Sequence, residues 1–212
     1  MDLSEIFFSI QGESTYSGLP CIFIRTSGCN LKCSYCDTTY ANNVGKRLKI
    51  SEIINEVNTF KGCKLVEVTG GEPLLQSEIY ELFEELHTND YDILLETNGS
   101  INLEKVPNYV CKIVDVKTPS SNCGDSFLKS NLDFINPTKD NIKFVIGDLN
   151  DYVWSKDFLK NNKLSGQHIL FSVVFSKIEP KVIVQKVLED KLDVRFQLQL
   201  HKYIWNPTER GV

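Results

Sequence analysis

Apolar residues along this chain gather in short, nearly continuous runs, separated by stretches in which they recur every three or four positions. The runs "LVEVTG" (65–70), "DILLETNG" (92–99), "KIVDVKT" (112–118), "IKFVIG" (142–147), "HILFSVVF" (168–175) and "VRFQLQLH" (194–201) read as strands, with "CIFIRTSG" (21–28) as the first. Val, Ile, Leu and Phe with little alternation suit parallel strands covered on both faces. The intervening stretches read as amphipathic helices. Ser51 is the expected N-cap of "SEIINEVNTF", and Ser77 that of "SEIYELFEELH", where Ile79, Leu82, Phe83 and Leu86 keep one apolar face. "EPKVIVQKVLED" carries Pro180 in its first turn, where a missing N–H is harmless.

Strands alternating with helices imply βα units joined by right-handed crossovers, in a single α/β domain spanning residues 1–212. Such units build an open doubly wound sheet or a barrel, and periodicity does not choose between them. A complete eight-unit barrel takes about 250 residues. A six-stranded partial barrel or an open sheet therefore fits 212 residues better. Either way, chemistry is expected at the C-terminal ends of the strands.

The composition is that of an ordinary globular chain, 42% hydrophobic and 24% charged. A net charge of -5 excludes broad electrostatic binding to nucleic acid. No apolar run approaches the roughly 20 residues of a membrane span, and "MDLSEIFFSI" lacks the basic and apolar regions of a secretory signal. A cytoplasmic protein is the expectation. Of 7 cysteines, Cys29, Cys33 and Cys36 crowd together, whereas Cys21, Cys63, Cys111 and Cys123 are dispersed. In a reducing compartment that pattern means metal binding plus buried thiols, not a disulfide framework.

The three crowded thiols lie in "GCNLKCSYCDTTYA" (28–41) with the spacing CxxxCxxC. A structural zinc site takes four ligands, usually in two pairs, and no matching partner pair exists. Three thiolates suit a [4Fe-4S] cluster whose fourth iron binds a non-protein ligand; a zinc site or coincidental buried thiols are the alternatives. One unit later, "VTGGEPLLQ" (68–76) supplies Gly70 and Gly71 for close backbone approach and Glu72 to accept from an ammonium group. With both motifs in place the chain resembles the radical S-adenosylmethionine (SAM) superfamily. That resemblance implies a partial (βα)6 barrel and a cluster iron chelated by the amino and carboxylate groups of SAM.

"EIFFSIQGESTYSGLPCIFIRTSGCNLKCSYCDT" (5–38), "TGGEPLLQ" (69–76), "ETNGS" (96–100) and "QLHKYIWNPTERGV" (199–212) more narrowly resemble the 7-carboxy-7-deazaguanine synthase family. The resemblance implies that a 5′-deoxyadenosyl radical takes hydrogen from C6 of 6-carboxy-5,6,7,8-tetrahydropterin, after which the ring contracts and ammonia is lost. It implies substrate contacts from Ile10, Gln11, Gly12, Glu13, Arg25, Thr69 and His201, with Lys202 in support. It also implies a Mg2+ held by Thr38, and SAM contacts from Tyr35, Cys36, Asp37, Gly71, Glu72, Glu96, Asp115, Val116, Lys117 and Ser172.

From the residues alone, Arg25 is equally a buried ion-pair partner, "QGES" and "DTT" are equally turns, and Glu96 with Asn98 is equally a cap. "DVK" (115–117) also departs from the Ser-Pro-Lys-like stretch expected of the family, which removes a serine hydroxyl contact. A flavodoxin or ferredoxin as reductant and a homodimer come with the family, with no direct nucleic-acid or membrane partner. The rival readings are a glycyl-radical-enzyme activase and a zinc-binding structural module.

Overall fold

In the computed structural model, which describes residues 1–43, 45–166 and 168–212, nearly every predicted apolar run is a strand. The strands are β1 (Asp2–Ile10), β2 (Pro20–Thr26), β3 (Lys46–Arg47), β4 (Leu65–Gly70), β5 (Asp92–Thr97), β6 (Cys111–Asp115), β7 (Asn141–Ile146), β8 (Ile169–Val173) and β9 (Arg195–Phe196). Helices α1 (Ile50–Val57), α2 (Ile79–Thr88), α3 (Leu149–Asn162) and α4 (Pro180–Glu189) lie between them, and α5 (His201–Ile204) follows.

The sheet order is β3-β1-β2-β4-β5-β6-β7-β8-β9. All pairs from β2 to β9 are parallel, whereas β1 is antiparallel to both β2 and β3. Among the described residues β9 does not pair with β3, so the curved sheet stays open as a partial barrel. The alternation of strand side chains makes two surfaces. Along β7, Ile142, Phe144 and Ile146 pack with Tyr152 and Leu159 of α3, whereas Lys143 and Val145 face a cavity on the concave side.

The sequence expectations need four corrections. β2 is not the first strand, because β1 precedes it in a hairpin secured by stacked Phe7 and Phe23 rings 4.8 Å apart. Ser51 and Ser77 are not the caps: α1 starts at Ile50, where the Lys49 N–H donates to Glu52 at 2.7 Å, and α2 starts at Ile79. The pattern did not announce α3, whose Leu149 and Val153 remain exposed while Tyr152 and Leu159 are buried. Finally, β9 is only two residues long. Beyond it, Leu200 N–H donates to Gly12 O at 3.0 Å and the chain turns into α5.

The sheet also carries a buried ion pair away from the cavity. Lys112 Nζ in β6 meets Asp140 Oδ2 at 2.9 Å, with side-chain exposures of 2% and 0%. Asp140 also accepts from the backbone N–H of Lys112 and of Asn136. Burial raises its pKa, but Lys112, these N–H donors and Lys139 outweigh that and hold it below the ordinary value. Asp140→Ala should lower the unfolding free energy by about 3–5 kcal/mol, since it strands a buried ammonium; urea denaturation measures this. A depressed folded-state pKa contributes stability that is complete above the unfolded value of about 4 and is lost as pH falls through the folded value. The acid-side loss of stability should accordingly be shallower in Asp140→Ala than in the wild type.

Candidate active site

The parallel register aligns the C-terminal ends of β2 and β4–β8, and the cysteine loop follows directly from β2. Several latches hold that loop. Gly28 N–H donates to Ala41 O at 2.8 Å, and Glu72 N–H donates to Gly28 O at 2.9 Å. Ser34 donates to Ser121 O through its N–H at 2.9 Å and to Ser120 O through its hydroxyl at 2.7 Å. Ser120 is itself held by the buried Asp151 of α3, which accepts from its N–H at 2.9 Å and its hydroxyl at 2.5 Å. The glycine pair acquires a packing role: a Cβ on Gly71 would lie 2.0 Å from Gly28 O, so only glycine lets the end of β4 meet the cysteine loop.

Cys29, Cys33 and Cys36 share one cavity wall as free thiols. Among the described residues, no three His, Cys, Asp or Glu side chains converge on a point that could hold a single ion. A lone zinc needs its sulfurs at about 2.3 Å. Three cysteines lining one cavity suit an iron–sulfur cluster held by three thiolates. Burial pushes the Cys33 and Cys36 thiols up, with Lys117 opposing it, so loading a metal would displace protons. Cys123, which looked dispersed in the sequence, lies beside Cys33 but does not line the cavity.

Around this wall the structure gathers most of the residues singled out from sequence. Tyr35, Asp37, Thr38, Gly71, Glu96, Asp115 and Lys117 line the cavity next to the cysteines. Tyr35 donates to Val145 O at 3.2 Å, and Lys117 Nζ pairs with Asp115 Oδ2 at 2.7 Å. Asp115 Oδ1 is buried without a partner, an acceptor left for a bound molecule and so consistent with an amino-bearing ligand such as SAM.

Ile10, Gln11, Gly12, Glu13, Arg25, Thr69 and His201 line the other side. Arg25 is an ion-pair partner, its Nε donating to Glu5 Oε1 at 2.8 Å, and its side chain also borders the cavity. A Cβ on Gly12 would lie 2.4 Å from His201 Nδ1, so a bare backbone lets the C-terminal segment approach. Burial lowers the His201 pKa despite nearby Glu13, which favours the neutral imidazole. Lys202 Nζ closes this rim with a 2.5 Å contact to Asp37, whose hydroxyl neighbour Thr38 donates to it at 3.1 Å.

Three expected SAM contacts are not brought to the cavity. Glu72 is fully buried and accepts from Leu74 N–H at 3.1 Å, Thr97 hydroxyl at 2.8 Å and Asn98 N–H at 2.8 Å; it ties the end of β4 to the end of β5 instead of facing a ligand. Val116 belongs to the core under α3, and its N–H is spent on Lys143 O at 2.8 Å. Ser172 is buried outside the lining with an unpartnered hydroxyl. Gln11 differs in another way. Its carboxamide donates to Glu67 and accepts from Glu13 N–H at 3.0 Å, so it organises the loop from within.

Sequence reasoning missed Glu67, Lys143 and Gln199. Lys143 Nζ, 4% exposed, pairs with Glu96, with Glu13 Oε2 at 3.0 Å and with Asp115 Oδ2 at 3.7 Å. Gln199 Nε2 donates to Glu13 Oε1 at 2.8 Å. A charge inside an apolar strand, as in "LVEVTG" and "IKFVIG", is the signal that could have found the first two. It would also have picked out Lys112, which serves the core and not the site.

Comparison with known proteins agrees with this geometry. The family model described as "Radical SAM superfamily" matches residues 23–122. The 7-carboxy-7-deazaguanine synthase of Koribacter versatilis is 43% identical, covering 100% of both chains. That of Chlorobaculum tepidum is 44% identical over 100% of this chain and 97% of its own. The crystal structure of QueE from Escherichia coli shares the fold, with a TM-score of 0.73 at 20% identity over 92% of this chain and 93% of its own. By its full-length likeness to these relatives, the chain belongs to the 7-carboxy-7-deazaguanine synthase family of radical SAM enzymes.

Proposed function

We propose that this enzyme converts 6-carboxy-5,6,7,8-tetrahydropterin to 7-carboxy-7-deazaguanine with loss of ammonia, a step of 7-deazapurine and queuosine biosynthesis. The observation that carries the reading is the single cavity in which Cys29, Cys33 and Cys36 face Ile10–Glu13, Arg25 and His201. A glycyl-radical activase would not need the segments Gln11–Glu13 and Gln199–Lys202, which contribute residues to that cavity.

Cys29, Cys33 and Cys36 would hold the [4Fe-4S] cluster, and Tyr35, Asp37, Gly71, Glu96, Asp115 and Lys117 would surround SAM. When bound, the reduced cluster and SAM supply the carbon radical that removes hydrogen from C6. The chain's own residues orient the substrate and exclude water. The terminal nitrogens of Arg25, which make no hydrogen bond among the described residues, suit the substrate carboxylate. The neutral His201 lies against the same side.

Thr38 offers one hydroxyl to a Mg2+, which typically keeps several waters and takes few protein oxygens. A flavodoxin or ferredoxin as reductant, a homodimer, a single domain over residues 1–212 and a cytoplasmic location complete the proposal. No described helix is long and apolar enough to cross a membrane.

Anaerobic reconstitution should load about four irons and four sulfides per chain; zinc without sulfide would sink the assignment. Incubation with SAM, a reductant, Mg2+ and the carboxytetrahydropterin should release 5′-deoxyadenosine together with the deazaguanine acid. Deoxyadenosine without that product would mean a different substrate. Arg25→Ala should raise the pterin KM by about tenfold or more, about 1.4 kcal/mol, with iron content unchanged; loss of iron would make Arg25 structural. Chelation of Mg2+ should lower turnover in the wild type and matter less in Thr38→Ala, a contrast that steady-state assays resolve.

A further inference from the structure

Glu67 sits in the middle of β4 between Val66 and Val68, both fully buried, and its side chain lines the cavity floor. It is 4% exposed. Its one hydrogen-bond partner among the described residues is an uncharged amide, Gln11, whose Nε2 donates to Oε2. The nearby ammonium of Lys143 is committed to Glu13, Glu96 and Asp115, and no described cation pairs with Glu67.

A carboxyl so placed keeps its proton. An unpaired buried carboxylate is costly, and the neighbouring Glu96 carboxylate adds repulsion. Burial first and Glu96 second hold Glu67 well above the usual carboxylate range, while Lys143 keeps Glu96 below it against the pull of burial. Because the Gln11 amide donates into Oε2, that oxygen acts as the carbonyl and the proton belongs on Oε1. Oε1 has no partner among the described residues.

We propose that Glu67 is a specificity residue that presents a carboxylic-acid O–H at the cavity floor to a hydrogen-bond acceptor of the bound heterocycle. The inference rests on the reaction proposed above. A 2-amino-4-oxo ring carries acceptors, its carbonyl oxygen and a ring nitrogen, beside its N–H donors. Glu13 and Glu96, both ion-paired to Lys143, suit the donors, and the neutral Glu67 suits an acceptor. One neutral and two ion-paired carboxyls thus read a mixed edge, which three carboxylates could not do. A site built to donate such a bond also rejects rings lacking the acceptor, because the buried O–H is then left unpaired.

The test uses the reconstituted enzyme with SAM under anaerobic conditions. Infrared difference spectra should show a protonated-carboxyl C=O band that is absent from Glu67→Gln and shifts when the carboxytetrahydropterin is added. Glu67→Gln keeps one donor and one acceptor and should hold a KM near the wild-type value. Glu67→Ala should raise KM by about tenfold, with the cluster's electron paramagnetic resonance spectrum unchanged. A missing band, a band indifferent to the pterin, or equal losses in Glu67→Gln and Glu67→Ala would overturn the proposal. Failure of the wild type to turn over the pterin, with the band present and still responsive to it, would instead remove the reaction and leave Glu67 as a reader of the ring.

Discussion

A buried ammonium cannot stay unpaired, and the neutralisation of Lys143 organises the interior of this open sheet. Its partners come from three other places: Glu13 from the loop after β1, Glu96 from β5 and Asp115 from β6. Gln199, from the other end of the chain, binds the same Glu13 carboxylate. In a low-dielectric interior each of these contacts is strong, and an unpaired member is costly. Glu96, Asp115 and Lys143 add charge pairing to neighbouring strands that backbone hydrogen bonds already join, and Glu13 with Gln199 carries the network to the segments after β1 and β9.

The thiol wall is held by a different means. Backbone and hydroxyl latches run from Gly28 to Ala41 and Glu72, and from Ser34 to Ser120 and Ser121. Asp151 of α3 anchors Ser120, so a helix on the convex side reaches the cysteine loop through two hydrogen-bonded steps. The two walls meet at the rim, where Lys202 contacts Asp37 and Arg210 lies 4.0 Å over the Tyr40 ring. Here the segment after β9 folds back over the cavity, and Val212 joins the lining. A ligand entering would touch elements from the whole length of the chain, which agrees with family likeness that extends over all of it.

Much of this was legible in advance. Continuous apolar runs marked the parallel strands because both faces of such a strand are covered. The spacing of Cys29, Cys33 and Cys36 marked the cluster loop because three thiols on one short segment have few other uses. Less legible were elements whose patterns arise from partial burial. β1 is paired along its length with β2 but meets β3 only at Asp2 and Leu3 and is mostly half-buried, and α3 leaves Leu149 and Val153 in solvent, so neither displays a clean period. Glu72 misled because an acid after two glycines reads as a ligand-facing group, yet it is fully enclosed by Leu74, Thr97 and Asn98.

By itself the sequence determined the strand–helix alternation, the thiol spacing and the family, because these depend on local order along the chain. Only the tertiary structure decided which charges face one another. Lys112 and Lys143 look alike in "CKIVD" and "NIKFVI", each a lysine inside an apolar strand. Lys112 meets Asp140 away from the cavity, whereas Lys143 turns inward to three carboxylates brought from distant segments. Whether a buried carboxyl such as Glu67 carries a charge follows from that same assembly. Its protonation depends on where the nearest cation is already committed, which no reading of neighbouring residues supplies.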